Sequence, residues 1–328
     1  MTELCEGTKG FLDSEARLNV PSLSLVMPLL NAQPFLKTAL DSLEAQTGVD
    51  LELIVVDGGS TDGTRELVEA SDLATVIDAP GHSQTEAINI GFSHARGEIL
   101  GWLNGDDRCA DGALRWVVEW FDNNPDAVFL YGDSMAINQS GREYGLRSNV
   151  VQGQYDQLVH KDFIVQPSAF WRREIFEKYG PLDESLHYTF DYSFFLEIAR
   201  ENEMHYEPIV MSFERLRGGA KTSQGGSKRA AEFRRVMERH GDRDVPLAFR
   251  PEVSAIWALD GFKHMTRREF EAGRSLLSEA ARMARPRRFA LVHFVALVLG
   301  GPRGTAEARL VSNWLRSTAR KREPQWPI

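Results

Sequence analysis

The stretch "GEILGWLNGDD", residues 97–107, begins as an apolar run and ends in two adjacent aspartates. The apolar part indicates a buried strand, and it is followed by Asn104, Gly105, Asp106 and Asp107. Neighbouring carboxylates repel each other unless a positive charge sits beside them. A turn in water keeps such a pair apart, whereas a divalent metal ion gives the two groups a reason to converge. The strand and its acidic end therefore set both the fold and the chemistry to be explained.

Further apolar runs alternate with helical patterns on both sides of this stretch. Strands are predicted at 23–31, 51–57, 74–79 and 127–133, and helices at 34–47, 83–95 and 111–124. Short loops connect them, which is typical of a mostly parallel, doubly wound α/β sheet. Beyond residue 133 the pattern predicts a hairpin over 134–147, a helix at 188–202, a basic mobile loop at 213–227 and helices at 228–240 and 252–285.

Composition limits the classes of protein that fit. The chain has 328 residues, 42% of them hydrophobic and 26% charged, as expected for a soluble globular protein. A formal charge of −9 argues against nucleic-acid binding. Two distant cysteines, Cys5 and Cys109, form no metal-binding spacing and favour a reducing cytoplasm. Neither a secretory signal nor a run of ~18 apolar residues is evident.

The carboxyl-terminal part differs in charge from the rest. Residues 281–328 hold ten Lys or Arg against two acidic residues, beside the apolar segment 289–301. This pattern favours peripheral contact with an anionic membrane through 282–322, at the inner face of the plasma membrane. A buried helix or a contact within a homo-oligomer explains it equally well. The predicted division is an N-terminal extension at 1–21, two halves of an α/β domain at 22–135 and 136–227, and a helical region at 228–328.

Polar residues collect where the predicted strands end. Pro28 and Asn31 end the first strand, Asp57 the second, and Asn104 with its aspartates the fourth. In open α/β sheets, ligands bind beyond the carboxyl ends of the strands. A lone "DGGS" is good turn chemistry by itself, but several polar strand ends together favour a nucleoside diphosphate held with Mg²⁺ or Mn²⁺. Neither a "GxxxxGK[ST]" nor a "GxGxxG" follows the first strand, which disfavours P-loop and dinucleotide-binding proteins.

Four stretches carry a family resemblance: "SLVMPLLNAQPFLKTALDSLEAQ", "LELIVVDGGSTDGT", "AINIGFSHARGEILGWLNGDD" and "QPSAFWRREIFEKYGPLDESLHYTFDYSFFLEIA". In this order and spacing, over about residues 22–222, they resemble the family 2 glycosyltransferases with the GT-A fold. The resemblance implies metal-dependent, inverting transfer of a sugar from a nucleoside-diphosphate sugar, UDP-sugar favoured. The acceptor would be a hydroxyl of a saccharide or of a lipid-linked acceptor, in polysaccharide or glycoconjugate biosynthesis.

The resemblance also implies roles for single residues. Asp106 and Asp107 would hold the metal ion, with Asn104 in place of a first aspartate. The nucleotide-binding residues would be Pro28, Asn31, Asp57, Gln84, Asn89, Arg96, Asn104 and Asp106. The chain has "DGGS" where many members have "DDGS", which weakens any inference about the base. For Asn89, a polar position on a helix face is an equal alternative.

The second half would carry the catalytic base and the acceptor side. Inversion needs a carboxylate that takes the proton of the attacking hydroxyl, and Asp191 is predicted as that base. Asp191 would also suit the start of a helix, and both roles are compatible. The diphosphate and acceptor residues would be Gln166, Trp171, Arg217 and Lys221. Core packing is an equal alternative for Trp171, and a solvated loop is the alternative for the two basic residues.

Two other functions compete with this prediction. A sugar-nucleotide pyrophosphorylase needs a basic, Gly-rich loop after its first strand, and "PLLNAQPF" has neither property. A non-catalytic nucleotide-sugar-binding or scaffold protein with the same fold is favoured by departures from the family pattern. These are the lost second acid of "DGGS", Asn104, Ser193 in place of a second acid after Asp191, and Arg217 in place of a histidine.

Overall fold

A computed structural model describes residues 20–147, 155–160, 162–216, 226–240, 265 and 270–283. The chain divides into two compact units, one of Met1–Leu158 with Phe163–Leu216 and one of Val159–Asp162 with Arg217–Ile328. The predicted boundary at 135/136 falls inside a strand of the first unit, and the one at 227/228 falls inside a helix of the second.

Within the described residues, nine strands form one sheet in the first unit. They are β1 (Leu23–Leu29), β2 (Leu51–Asp57), β3 (Ala74–Asp78), β4 (Ile99–Trp102), β5 (Arg108–Cys109), β6 (Phe129–Ile137), β7 (Glu143–Arg147), β8 (Ala169–Arg172) and β9 (His205–Arg215). Their order is β3-β2-β1-β4-β8-β6-β9-β5, and β7 pairs with β6. Strands β1, β2, β3, β4, β6 and β9 run in one direction, and β5, β7 and β8 run against them.

Helices connect these strands. They are α1 (Leu36–Glu44), α2 (Thr64–Glu69), α3 (Gln84–His94), α4 (Ala113–Asn123), α5 (Tyr155–His160), α6 (Arg173–Tyr179) and α7 (Phe190–Ala199), with a 3₁₀ turn at Gln166–Ser168. The second unit contains α8 (Gly226–Arg239) and α9 (Phe270–Met283). Among the described residues, no helix is both long and apolar enough to cross a membrane.

Strand β1 lies in the middle of the parallel part and is buried along its whole length. Parallel strands covered on both faces are apolar at nearly every position, as β1 and the second half of β2 are. On one face, Leu25, Met27 and Leu29 of β1 belong to a core cluster shared with α1, α2 and α4. On the other face, a Cβ added to Gly91 of α3 would overlap the side chain of Val26, so a glycine lets α3 approach the sheet closely.

Aromatic side chains fill the space between the sheet and α7. Trp171 of β8 is fully buried, with its ring centroid 5.5 Å from that of Trp102 and 5.3 Å from that of Phe194. Phe195 of α7 lies 5.5 Å from Phe129 of β6. These contacts join the second half of the domain to β4, the strand that precedes the two adjacent aspartates.

The structure confirms the α/β fold, its alternating elements and the hairpin of β6 and β7. The predicted loop at 213–227 is wrong at its start, because residues 213–215 belong to β9. Strand β9 escaped detection since it is only half-buried, and Pro208 falls where its register against β6 shifts. Helices α8 and α9 agree with the predictions at 228–240 and 252–285 where the structure describes them. The tail beyond 283 lies outside the described residues.

Candidate functional site

The carboxyl ends of β1, β2 and β4 meet at one edge of the sheet. Strand β1 pairs with β2 on one side and with β4 on the other, both parallel to it. The chain order reverses at β1, so this is a topological switch point, where open α/β sheets bind ligands in a crevice. The polar residues predicted from the strand ends come to this edge.

The turns after β1 and β2 are tied to each other. Asn31 has a positive φ of 51°, and its backbone N–H donates to Ser60 Oγ at 2.9 Å. Asn31 Oδ1 accepts from the Thr61 amide at 2.9 Å. Pro28 lies buried in β1, opposite Val56 in the register. These bonds fix the two turns that would border a nucleotide.

Asp57 ends β2 and is 5% exposed. Its Oδ1 accepts from Ser60 Oγ at 2.6 Å, and the Ser60 amide lies 3.2 Å from both carboxylate oxygens. The aspartate therefore holds the turn in shape. Among the described residues, Oδ2 accepts only from that amide, which it shares with Oδ1, so Oδ2 retains the capacity to accept another N–H.

Asn104, two residues after β4, is the centre of a hydrogen-bond network. Its Oδ1 accepts from Gln84 Nε2 at 2.8 Å. Its Nδ2 donates to Asp107 Oδ2 at 3.1 Å and to Gln166 Oε1 at 3.3 Å. Gln166 in turn donates to the Trp102 carbonyl at 2.6 Å. One side chain thus joins residues from α3, from the loop after β4 and from the segment before β8.

The two aspartates of the loop have different environments. Asp107 is 4% exposed, and its Oδ1 accepts from the Arg215 amide at 2.8 Å while Oδ2 accepts from Asn104. Burial, and then the charge of Asp106, raises the pKa of Asp107 well above its usual value. Asp106 is half-buried. Both oxygens of Asp107 thus serve the protein itself, which makes Asp106 the better candidate of the two to face a ligand.

Arg215, at the end of β9, is a site residue that sequence reasoning missed. Its Nε donates to the Asp106 carbonyl at 2.8 Å, and its Nη1 donates to the carbonyls of Asn138 and Gln139 at 2.7 and 3.1 Å. The guanidinium carbon lies 4.6 Å from the centroid of the Phe35 ring. Arg215 therefore holds the acidic loop from behind. Correct assignment of β9 as a strand was the signal needed to find it.

Asp191 is the second residue of α7 and is half-buried. Its Oδ1 accepts from the Tyr192 amide at 2.8 Å. The preceding residue, Phe190, packs against Trp102 with 6.2 Å between ring centroids. Trp102 is the last residue of β4, two positions before Asn104, so the start of α7 lies against the strand that carries the acidic loop.

Three predicted site residues lie away from the network. Arg96 precedes β4 and pairs with Glu52 at 2.7 Å, so it lies at the opposite end of the strands from Asn104. Asn89 uses its amide group on the backbone of Leu182 and on Glu184. Trp171 is fully buried in the aromatic core.

Arg217 and Lys221, predicted to bind diphosphate, lie outside the described residues.

Comparisons with known proteins find glycosyltransferases. The family model "Glycosyl transferase family 2" matches residues 24–180. An uncharacterized glycosyltransferase of Rickettsia typhi is 24% identical over 216 residues, covering 62% of this chain and 66% of that protein. A PGL/p-HBAD biosynthesis glycosyltransferase of Mycobacterium bovis is 30% identical over 187 residues, covering 53% and 68%. The match to the rickettsial protein thus spans just under two thirds of its length.

Solved structures share the fold at low sequence identity. TarS 1-349 of S. aureus in complex with UDP-GlcNAc has a TM-score of 0.60 and 15% identity, covering 92% of both chains. The mannosyltransferase PcManGT of Pyrobaculum calidifontis, in complex with GDP-Man and Mn²⁺, has a TM-score of 0.54 and 19% identity, covering 95% of this chain and 93% of that one.

Proposed function

The chain belongs to glycosyl transferase family 2, and from that premise we propose that it transfers a sugar from a nucleoside-diphosphate sugar to an acceptor hydroxyl with inversion. The observation that carries the proposal is the network around Asn104 at the switch point of the sheet. It brings α3, the acidic loop and the segment before β8 to one place. An unrelated surface turn would have no reason to join three separate elements through side-chain amides that are half-buried or buried.

The nucleotide would lie along the turns after β1 and β2. Asn31 and Asp57 sit there, and Asp57 Oδ2 can accept an N–H of the base. Gln84 and Asn104 would border the diphosphate and the sugar. A UDP-sugar is the favoured donor, and the UDP-GlcNAc bound to TarS in the same fold supports that choice.

A divalent metal ion fits the residues of the acidic loop. Carboxylate oxygens are hard ligands, and Mg²⁺ commonly takes one or two protein carboxylates together with substrate phosphates and water. The described residues contain no group of three or more His, Cys, Asp or Glu able to hold an ion by themselves. Asp106 would therefore hold Mg²⁺ or Mn²⁺ jointly with the diphosphate. The bound ion would neutralise charge on the departing diphosphate.

Asp191 would act as the general base. Its carboxylate, at the start of α7, would take the proton of the acceptor hydroxyl. The position two residues later is Ser193, so one carboxylate would serve alone. A single displacement by the hydroxyl inverts the anomeric centre.

The acceptor would be a saccharide or a lipid-linked saccharide. Gln166 remains a candidate for this side, whereas Trp171 is better explained by core packing. Arg217 and Lys221 would bind diphosphate, and the basic segment 282–322 would bring the enzyme to an anionic membrane at the cytoplasmic face. The charge of this segment is what supports the placement at the membrane.

Donor hydrolysis tests the function without knowledge of the acceptor. The full chain is incubated with UDP-, GDP- and dTDP-sugars and Mn²⁺, and release of nucleoside diphosphate is measured for wild type and Asp191→Asn. We expect hydrolysis of one class of donor, lost in the variant while nucleotide affinity stays. Nucleotide binding with no hydrolysis by wild type would instead support the non-catalytic binding protein.

A further inference from the structure

Helix α3 contacts the acidic loop and the segment that leads to Asp191 through neighbouring residues. Gln84 Nε2 donates to Asn104 Oδ1 at 2.8 Å. The next residue, Thr85, points elsewhere, and its Oγ1 donates to the carbonyl of Leu186 at 3.1 Å. Leu186 lies five residues before Asp191 along the chain. One helical turn therefore joins the donor side of the site to the side of the base.

Asn89 repeats the second contact one turn further along α3. Its Oδ1 accepts from the Leu182 amide at 2.9 Å, and its Nδ2 donates to the Leu182 carbonyl at 3.0 Å. Residues four apart on a helix share a face, so Thr85 and Asn89 together hold the loop 182–186. We call this pair of residues the α3 clamp.

The clamp is built on a rigid support. A capping box fixes the start of α3, with Ser83 and Glu86 exchanging hydrogen bonds. Phe92, near its end, packs 5.7 Å from Trp171 in the aromatic core. The loop is ordered as well, since the Leu186 amide donates to the Asp183 carbonyl at 3.0 Å. A shift at the clamp would therefore reach the start of α7 rather than be absorbed locally.

We propose that the α3 clamp is a positioning device that sets the carboxylate of Asp191 relative to the sugar nucleotide held at Asn104. The inference rests on the proposed function of the site. Thr85 is 1% exposed, and within the described part of the chain its side chain makes one hydrogen bond, to Leu186, which a ligand-binding role would not explain. The clamp acts through the loop and touches no substrate. Asn89 belongs to it, which replaces the role in the nucleotide pocket predicted from the sequence.

Thr85→Val tests the clamp with little change of shape. Valine keeps the volume and removes the hydroxyl, so the buried Leu186 carbonyl loses its donor. Misplacement of a catalytic group by about 1 Å costs roughly 100-fold in rate. We expect the kcat for donor hydrolysis to fall at least about tenfold, while the donor KM and the nucleotide Kd stay within about twofold, because Gln84 still holds Asn104. Thr85→Ser restores the hydroxyl and should restore kcat.

Two control variants separate positioning from stability. Ser93→Ala removes an exposed hydroxyl from the same helix, and Ile88→Val removes one methyl group from a fully buried side chain of α3 while the hydrogen bonds of the clamp stay intact. Both should keep the wild-type kcat, even where Ile88→Val lowers the melting temperature as much as Thr85→Val. Asn89→Asp, which turns a donated hydrogen bond into repulsion against Leu182 and Glu184, should show the same split of kcat from KM and serves if Thr85→Val fails to fold.

The outcomes distinguish the two proposals. If wild type hydrolyses none of the UDP-, GDP- and dTDP-sugars, the proposed function fails and the clamp falls with it. If wild type is active and Thr85→Val matches it, or loses nucleotide affinity in step with kcat, the clamp proposal is overturned while the function stands.

Discussion

The two ends of β4 differ in how the carboxylates beside them are held. At the amino end, the Arg96 guanidinium pairs with Glu52, and Arg173 donates to the carbonyls of Ala95 and Gly97 at 2.6 Å. At the carboxyl end, Asp107 is buried without a cationic side chain as partner among the described residues. The guanidinium of Arg215 donates to the backbone carbonyls of Asp106 and Asn138. Among the described residues, Glu52 at the amino end thus has a cationic side chain as partner, whereas Asp107 at the carboxyl end accepts from uncharged donors, the Arg215 backbone amide and the Asn104 side chain.

This difference indicates which end of β4 would bind a ligand. A carboxyl group buried without a cationic partner is destabilised in its charged form, which is why the pKa of Asp107 is raised. At the amino end, the carboxylate of Glu52 already has a cationic partner in Arg96. At the carboxyl end, a cation brought with an anionic substrate would complete the site. Substitutions at either end of β4 test this difference.

Asp106→Asn should have the largest effect. It removes the carboxylate that we assign to the metal ion while keeping its shape, so Mn²⁺-dependent donor hydrolysis should fall by about 100-fold or more. Steady-state hydrolysis with Mn²⁺ measures the effect. Unchanged activity, together with an unchanged dependence on Mn²⁺ concentration, would remove Asp106 from the site.

Arg215→Met should destabilise the carboxyl end. The change removes hydrogen bonds to the carbonyls of Asp106, Asn138 and Gln139, and each such bond contributes about 1 kcal/mol to stability. We expect a loss of about 3 kcal/mol in the free energy of unfolding, measured by urea denaturation. Lys37→Met, at an exposed cation of α1, is the matched control and should cost less than about 1 kcal/mol.

Gly105→Ala should disturb the acidic loop by crowding. A Cβ at this position would overlap Leu29 Cδ2 and lie 3.1 Å from Ala32 Cβ. Overpacking of this kind costs about 1–3 kcal/mol. Gly145→Ala, with open space around the added atom, is the control for the loss of a glycine. Equal melting temperatures for the two variants would show that the loop does not need its close approach to β1.

The buried carboxyl of Asp107 predicts a pH dependence of stability in EDTA. Burial and the charge of Asp106 raise its pKa in the folded state, so the folded protein holds a proton that the unfolded chain has released. Its contribution is present at low pH and is lost as pH rises from about 4 toward the raised pKa, at no more than about 1.4 kcal/mol per pH unit. Asp107→Asn should remove this part of the slope. Parallel wild-type and variant curves between pH 4.5 and 7.5 would contradict it.

Arg96→Ala should have the smallest effect. Its side chain is 68% exposed, and exposed ion pairs contribute about 0–1 kcal/mol. Donor hydrolysis and nucleotide affinity should stay at wild-type levels, because Arg96 lies at the amino end of the strands. A large rise in KM for the donor would return Arg96 to the nucleotide site and break the contrast between the two ends.

The order of strands and helices was predictable because apolar runs ended in Gly, Asn and Asp residues. The same signal located Asn31, Asp57, Asn104 and Asp106 at one edge, since parallel strands share their carboxyl ends. The role of Arg96 was implied by the family resemblance and not by a strand end, and the structure places this residue just before β4, at the opposite edge.

Long-range contacts could not be read from the sequence. The hydrogen bond of Asp107 to Arg215 joins residues 108 positions apart, and a half-buried strand gave no clear period to reveal it. The partners of Asn89 lie 93 and 95 positions away. Two adjacent aspartates of identical chemistry differ only in what the fold places beside them.

The most direct test of the central claim is a calorimetric titration of the full chain with UDP, GDP and dTDP, first with Mn²⁺ and then with EDTA. We expect one nucleotide to bind with Mn²⁺, and we expect EDTA or Asp106→Asn to abolish or greatly weaken that binding. Binding of none of the three, or binding of equal strength in EDTA, would contradict the assignment of the carboxyl end of β4 as a metal and nucleotide site.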